Sequence, residues 1–163
     1  MNLNNIILIG FMGCGKSTIA RRLSRKIGFY FIDTDALIES YEGQEIVKIF
    51  AKHGEGYFRD LEKLTFTWMK GSLINSVVAT GGGFVTSADD LSPLGKTVFI
   101  DLSLEEVKKR LKGAQSATRP LADADIDRLY KSRYGLYEKM ADVTINADDK
   151  SLEAIVEEIA HNI

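Results

Sequence analysis

Along the chain, short continuous apolar runs alternate with longer stretches in which apolar residues recur every three or four positions. "NIILIG" at 5–10 is the first run. A run of this kind, closed by a turn residue, is the pattern of a strand buried on both faces. Ser17 to Ile27 then reads as a helix that Gly28 stops. "FYFID" at 29–33 is a second strand ending at Asp33, and Thr34 to Tyr41 is a helix that Gly43 breaks. From Gln44 to about Lys70 the spacing is helical again, in two pieces around "HGEG" at 53–56. In the second piece Phe58, Leu61, Leu64 and Trp68 predict one core-facing side. "SVVAT" at 76–80, "KTVFIDL" at 96–102 and "DVTIN" at 142–146 complete the strands, and Gly81-Gly82-Gly83 follows the first of these. Helices are expected from about Ser103 to Lys112, from Ile126 to about Met140, and from about Ser151 to Ala160. Ser151 suits the last as N-cap, with Glu153 in its first turn. "KGAQSATRPLADAD" at 112–125 has no period and reads as a mobile loop.

Strands alternating with helices imply an α/β fold, a parallel sheet with helices on both faces. In such sheets the ligand sits beyond the carboxyl ends of the strands. That rule gathers Gly10 onward, Asp33, Asp35 and the triple glycine in one place. A length of 163 residues suits one domain, 1–163. Hydrophobic content of 45% and charged content of 27% are those of an ordinary globular protein. A net charge of −2 argues against nucleic acid as a partner held by bulk charge, so any anionic ligand must be met by local basic groups. The single cysteine, Cys14, excludes an intramolecular disulfide and a cysteine-rich zinc site. Runs such as Ile6 to Ile9 are far short of a membrane span, and the first residues lack the marks of a signal peptide. A cytoplasmic location and no membrane partner are expected.

"GFMGCGKS" at 10–17 fits G-x-x-x-x-G-K-[ST], the P-loop. Such a loop turns around a diphosphate with successive N–H groups pointing inward, and glycines permit both the backbone angles and the close approach. The following helix adds its dipole and unpaired N–H groups. Gly13, Cys14, Gly15, Lys16, Ser17 and Thr18 are therefore the expected nucleotide-binding residues, ATP-binding in a kinase. Lys16 meets the β and γ phosphates, and the Ser17 hydroxyl is placed to ligate Mg²⁺.

A P-loop serves switches and motors as well as small-molecule kinases. The N-K-x-D segment of a guanine reader is absent, since "NADDK" at 146–150 does not fit. Asp101 follows an apolar strand, but Leu-Ser comes next, without the acid that a motor needs. The kinase reading explains more. Asp33 and Asp35 in "DTD" end the second strand, where one can face a metal's water shell and the other a substrate hydroxyl. Either also suits the N-cap of the next helix. Arg59 in "FRDLE", with Glu62 one turn on, fits a solvated ion pair on sequence grounds alone, and Arg133 fits a surface residue. Arg119 in "TRP" falls in the expected loop, where an arginine could reach transferring phosphate after closure.

Taken together, the P-loop, "FIDTD", "FRDLE", "ATGGG", "TRPL" and "RYGLYEKMAD" come in the order and spacing of shikimate kinases, which the chain resembles from Asn5 to the last helix. The resemblance implies a P-loop three-layer sandwich with a five-stranded parallel sheet in the order 2-3-1-4-5 and a mobile lid at about 112–125. It implies transfer of phosphate from MgATP to the 3-hydroxyl of shikimate, on the route to chorismate and the aromatic amino acids. Asp35 then holds the shikimate hydroxyls and serves as base or positioner, while Lys16 and Arg119 act on the transferring phosphate. Arg59 and Arg133 grip the substrate carboxylate, and Gly81, Gly82 and Gly83 pack on its ring. Asp33 joins Ser17 at magnesium, and Arg110 or Lys112 lies against adenine. A monomer is expected. Cys14 departs from the Ala or Ser usual at its place; the thiol is either reachable and activated by the loop, or turned into the packing. Gluconate and nucleoside monophosphate kinases, and a non-catalytic nucleotide sensor, are the alternatives.

Overall fold

The computed structural model describes residues 4–113 and 125–163. Its strands are β1 (Ile6–Ile9), β2 (Tyr30–Asp33), β3 (Ser76–Ala79), β4 (Lys96–Asp101) and β5 (Val143–Asn146). Its helices are α1 (Lys16–Ile27), α2 (Thr34–Glu42), α3 (Ile46–Ser72), α4 (Leu104–Gly113), α5 (Ile126–Met140) and α6 (Leu152–Asn162), with a 3-10 turn at Phe84–Thr86. The five strands form one sheet in the order β2-β3-β1-β4-β5, and every pairing is parallel. Each residue of β1 and of β3 is buried, which requires cover on both faces of the sheet. Apolar continuity in "IILI" and "VVA" is thus the direct cause of the central placement of these strands. Asn5 fastens their lower ends: its amide donates to the Leu73 and Leu94 carbonyls and its oxygen accepts from Ser76 N–H.

Expected boundaries agree with the observed ones to a residue or two. Gly28 closes α1 in the left-handed conformation, and Ser151 caps α6 by accepting from Ala154 N–H at 3.2 Å. Gly54, at φ 80° and ψ 176°, interrupts α3 where "HGEG" divides the pattern. One expectation fails. Phe58 and Leu61 are buried, but Leu64 and Trp68 are 49% and 47% exposed. At 100° per residue Leu64 stands about 120° around the helix from Phe58 and Trp68 about 80°, whereas Met69 returns to within about 20° and is buried. The stretch expected as a lid lies, apart from Lys112, Gly113 and Asp125, outside the described residues, and Arg119 with it.

Candidate active site

The carboxyl ends of β1, β2 and β3 open onto one cavity of about 320 Å³. The loop from Gly10 to Lys16 forms its floor. Gly10, at φ 146°, is forced by its surroundings, because a Cβ there would stand 2.6 Å from the Ile100 carbonyl oxygen. Gly15, at φ 95°, is the N-cap of α1, which has neither a side-chain cap nor an acidic residue in its first turn. That helix end therefore presents N–H groups and positive dipole to the cavity. Lys16 is buried and donates from Nζ to the Gly10 carbonyl at 2.7 Å and the Phe11 carbonyl at 3.0 Å. Gly13, Gly15, Lys16, Ser17 and Thr18 all line the cavity. Cys14 does not: it is 1% exposed, and its Sγ lies 3.6 Å from Lys16 Nζ within the core. The inward-pointing alternative for the thiol is the one observed.

Asp33 combines two tasks that the sequence left as alternatives. Its Oδ1 caps α2, accepting from Asp35 N–H at 3.0 Å and Ala36 N–H at 3.4 Å. Its Oδ2 accepts from the Ser17 hydroxyl at 2.6 Å. Asp35 follows, with Oδ1 enclosed and lacking a hydrogen-bond partner among the described residues. Burial raises its carboxyl to about 7, helped by the charges of Asp33 and Glu62 and opposed by Lys16. Gly81 makes room for it, since a Cβ there would stand 2.5 Å from Asp35 Oδ1. The Gly81 N–H is itself held by the Thr34 hydroxyl at 2.9 Å.

The far wall is basic. Arg59 reaches the cavity from α3 and is clamped by Glu62 at 2.6 Å and Glu55 at 2.8 Å. The pair is not the solvated one that its spacing suggests, because Glu62 is 1% exposed and also accepts from the Ser87 hydroxyl. Burial works against the Arg59 charge, and Glu62 and Glu55 outweigh it, so the guanidinium stays above its ordinary pKa. Gly83 has no side chain where one would collide with that guanidinium. Arg133 is 4% exposed rather than on the surface, and burial lowers its pKa. Arg59, Arg133, Asp35, Gly81, Gly82 and Gly83 therefore line the same cavity as the phosphate loop.

The remaining expected residues lie elsewhere. Arg110 sits behind the loop, its guanidinium 4.0 Å from a Cβ built on Gly15, paired through Nε with Glu106 at 3.2 Å. Lys112 is exposed near the end of α4. Asp101 faces a second cavity and accepts from the Tyr134 hydroxyl at 3.0 Å. Sequence reasoning missed Ile46, Phe50 and Phe58, which give the first cavity an apolar side next to Arg59. Their helical spacing marks them only as inward-facing, and nothing in the pattern separates core from cavity wall. Glu62 was visible only as a partner of Arg59.

Comparison with known proteins gives one consistent result. The family model for shikimate kinase matches residues 12–163. A shikimate kinase of Persephonella marina is 41% identical over 167 residues, covering 99% of this chain and 99% of its own. That of Helicobacter hepaticus is 39% identical, covering 93% and 91%. Among solved structures, shikimate kinase from Acinetobacter baumannii in complex with shikimate superposes with a TM-score of 0.90 at 31% identity, over 98% of this chain and 92% of that one. The enzyme from Aquifex aeolicus gives 0.83 at 36% identity, over 96% and 94%. The likeness runs from the phosphate loop through the glycine segment to the last helix, and the chain belongs to the shikimate kinase family.

Proposed function

We infer that this chain transfers the γ-phosphoryl group of ATP to the 3-hydroxyl of shikimate, giving shikimate 3-phosphate and ADP. The observation that carries the reading is the single cavity in which a phosphate loop faces the half-buried Arg59, the buried Arg133 and the Asp35 carboxyl. ATP phosphates lie along the loop's N–H groups and the start of α1, and Lys16 exchanges its backbone carbonyl partners for phosphate oxygens. Arg59 and Arg133 hold the shikimate carboxylate, for which a guanidinium fork is well matched. The glycine segment lets the ring approach, and Asp35 accepts from the hydroxyls through the side of its carboxylate that lines the cavity. A carboxyl near 7 suits proton acceptance at neutral pH. The 3-hydroxyl proton passes to Asp35, the oxygen bonds to the γ phosphorus, and the bond to the bridging oxygen breaks, leaving ADP with the electron pair.

Ser17 and Asp33 offer a hydroxyl and a carboxylate oxygen 2.6 Å apart beside the loop, an all-oxygen pair suited to a hard cation. They would hold Mg²⁺, directly or through water, and the ion would neutralise charge on the phosphates. Arg119 meets the phosphates from the lid on the strength of the family resemblance. The nearness of Arg110 to Gly15 favours it over Lys112 as the adenine neighbour. No helix among the described residues is long and apolar enough to cross a membrane. A monomeric, cytoplasmic enzyme of one domain, with neither nucleic acid nor membrane as partner, is the reading that goes with this chemistry. Coupled ADP release with shikimate, gluconate, AMP and no acceptor tests it. Turnover with shikimate alone is expected, and a rate indifferent to shikimate would sink it.

A further inference from the structure

Tyr137 has no part in the chemistry described above, yet it touches the backbone that shapes the site. It is fully buried on α5, one turn after Arg133 and on the same side of the helix. A buried tyrosine hydroxyl needs a partner, and this one donates to the Gly82 carbonyl at 2.5 Å. The ring stacks on Phe99 of β4, with centroids 5.2 Å apart and planes at 24°. Burial pushes the phenol well above its ordinary pKa, so the proton stays on the donor at any working pH.

Gly82 is the middle of the glycine segment, and the phosphate loop lies against it: a Cβ there would stand 3.1 Å from Met12 N. On either side, Asp35 packs at Gly81 and the Arg59 guanidinium at Gly83. The Gly82–Gly83 peptide is trans, and an amide is planar. Turning its carbonyl toward Tyr137 therefore turns the Gly83 N–H to the opposite edge. The hydroxyl thus holds the middle peptide of the segment, while Phe84 N–H to the Gly81 carbonyl at 3.0 Å and Thr86 N–H to the Gly83 carbonyl at 2.9 Å hold the peptides on either side.

We propose that Tyr137 is a positioning residue for the phosphoryl acceptor, clamping the Gly82–Gly83 peptide so that the glycine segment keeps its spacing to Asp35 and Arg59. The inference rests on the shikimate kinase reading given above. Tyr137 touches no reacting atom; it acts through the Gly82 carbonyl, and its hydroxyl also stands within reach of the Arg133 guanidinium at the same end of the cavity.

Tyr137→Phe keeps the ring and the stack and removes one hydroxyl. With the Gly82 carbonyl short of its donor, the shikimate KM is expected to rise about tenfold, with the ATP KM within about twofold of wild type and kcat less affected. Tyr130→Phe is the control. Tyr130 lies on the same helix and donates to the Leu102 carbonyl at 2.9 Å, so it loses an equal bond away from the glycines. Its shikimate KM is expected to stay at the wild-type value. Equal rises of both KM values in Tyr137→Phe, or equal shikimate KM values in the two variants, would overturn the inference. If Tyr137→Phe is recovered unfolded, Tyr137→Met carries the test as an unbranched apolar side chain without the hydroxyl; the same rise in the shikimate KM is expected, and none would overturn the inference. A wild-type protein inert toward shikimate would sink the functional reading and the clamp together. An active wild type with an unaffected Tyr137→Phe would sink the clamp alone.

Discussion

Replacing Gly81 by alanine adds one methyl group against the carboxylate of Asp35. The new Cβ would stand 2.5 Å from Asp35 Oδ1, 3.3 Å from Cγ and 3.4 Å from Oδ2. Non-bonded heavy atoms rest about 3.5 Å or more apart, so something must move by about 1 Å. The backbone at Gly81 is pinned by Thr34, and it does not have the positive φ that would strain alanine. The carboxylate of Asp35 is therefore what gives. A displacement of about 1 Å at a reacting group costs on the order of a hundredfold in rate, or about 2.7 kcal/mol in the barrier. Overpacking adds about 1–3 kcal/mol of lost stability. Gly71→Ala serves as the control, since a Cβ there meets nothing within 4 Å and sits in α3, where alanine stabilises by up to about 1 kcal/mol. Steady-state ADP release and thermal denaturation are measured on both. The expected result for Gly81→Ala is a kcat down about a hundredfold with the ATP KM within about twofold. A kcat within about threefold of wild type would refute the placement of Asp35 at the reacting hydroxyl.

Lys16→Ala is expected to lose about 3 kcal/mol or more of transition-state stabilisation while the fold survives, and near-normal turnover would remove the phosphate-loop assignment. Arg59→Ala should raise the shikimate KM and also destabilise the protein by about 3–5 kcal/mol, because it strands buried Glu62. Adding Glu62→Gln should recover stability in denaturant titration without recovering the KM, and recovery of both would make Arg59 structural only. Asp35, raised to about 7, should give kcat/KM an acid limb near that pH. Its folded pKa lies above the ordinary 3.8, so its contribution to stability is fully present below about 3.8 and is lost as pH rises through about 7. Asp35→Asn should therefore stabilise at pH 8, by at most about 4 kcal/mol, and hardly at all near pH 3, and a pH-independent gain would contradict this. Cys14, buried beside Lys16, should resist iodoacetamide in the native protein, and mass spectrometry showing the native and unfolded chains labelled at one rate would disprove its burial.

The sequence is most legible where local chemistry dictates structure. Gly10, Gly15 and Lys16 have fixed spacing because the loop's geometry demands it, and Gly28 and Ser151 end and begin helices by their own backbone and side-chain bonding. Asp33 and Asp35 could be placed on the ligand side from strand ends alone. Legibility stops where position depends on contacts distant in the chain. Arg133 reads as a surface residue on an amphipathic helix, and only the docking of α5 on the turn after the glycine segment buries it. Arg59 and Glu62 look solvated by spacing, yet Ser87 and the cavity wall enclose Glu62. Leu64 and Trp68 fit a helical repeat too loosely to tell which side faces the sheet. The room that Gly81 leaves for Asp35, and Gly83 for Arg59, is a tertiary fact for which "GGG" gives only the permission.

The central claim is that phosphate passes from ATP to one hydroxyl of shikimate held between Asp35 and the two arginines. Phosphorus NMR of the reaction mixture tests it most directly, because it reports both whether transfer occurs and to which carbon. With enzyme, MgATP and shikimate, the account expects ADP together with one phosphate monoester coupled to the ring proton at C3, and no monoester when shikimate is left out. Inorganic phosphate as the only new signal, or a monoester at another ring position, would contradict it.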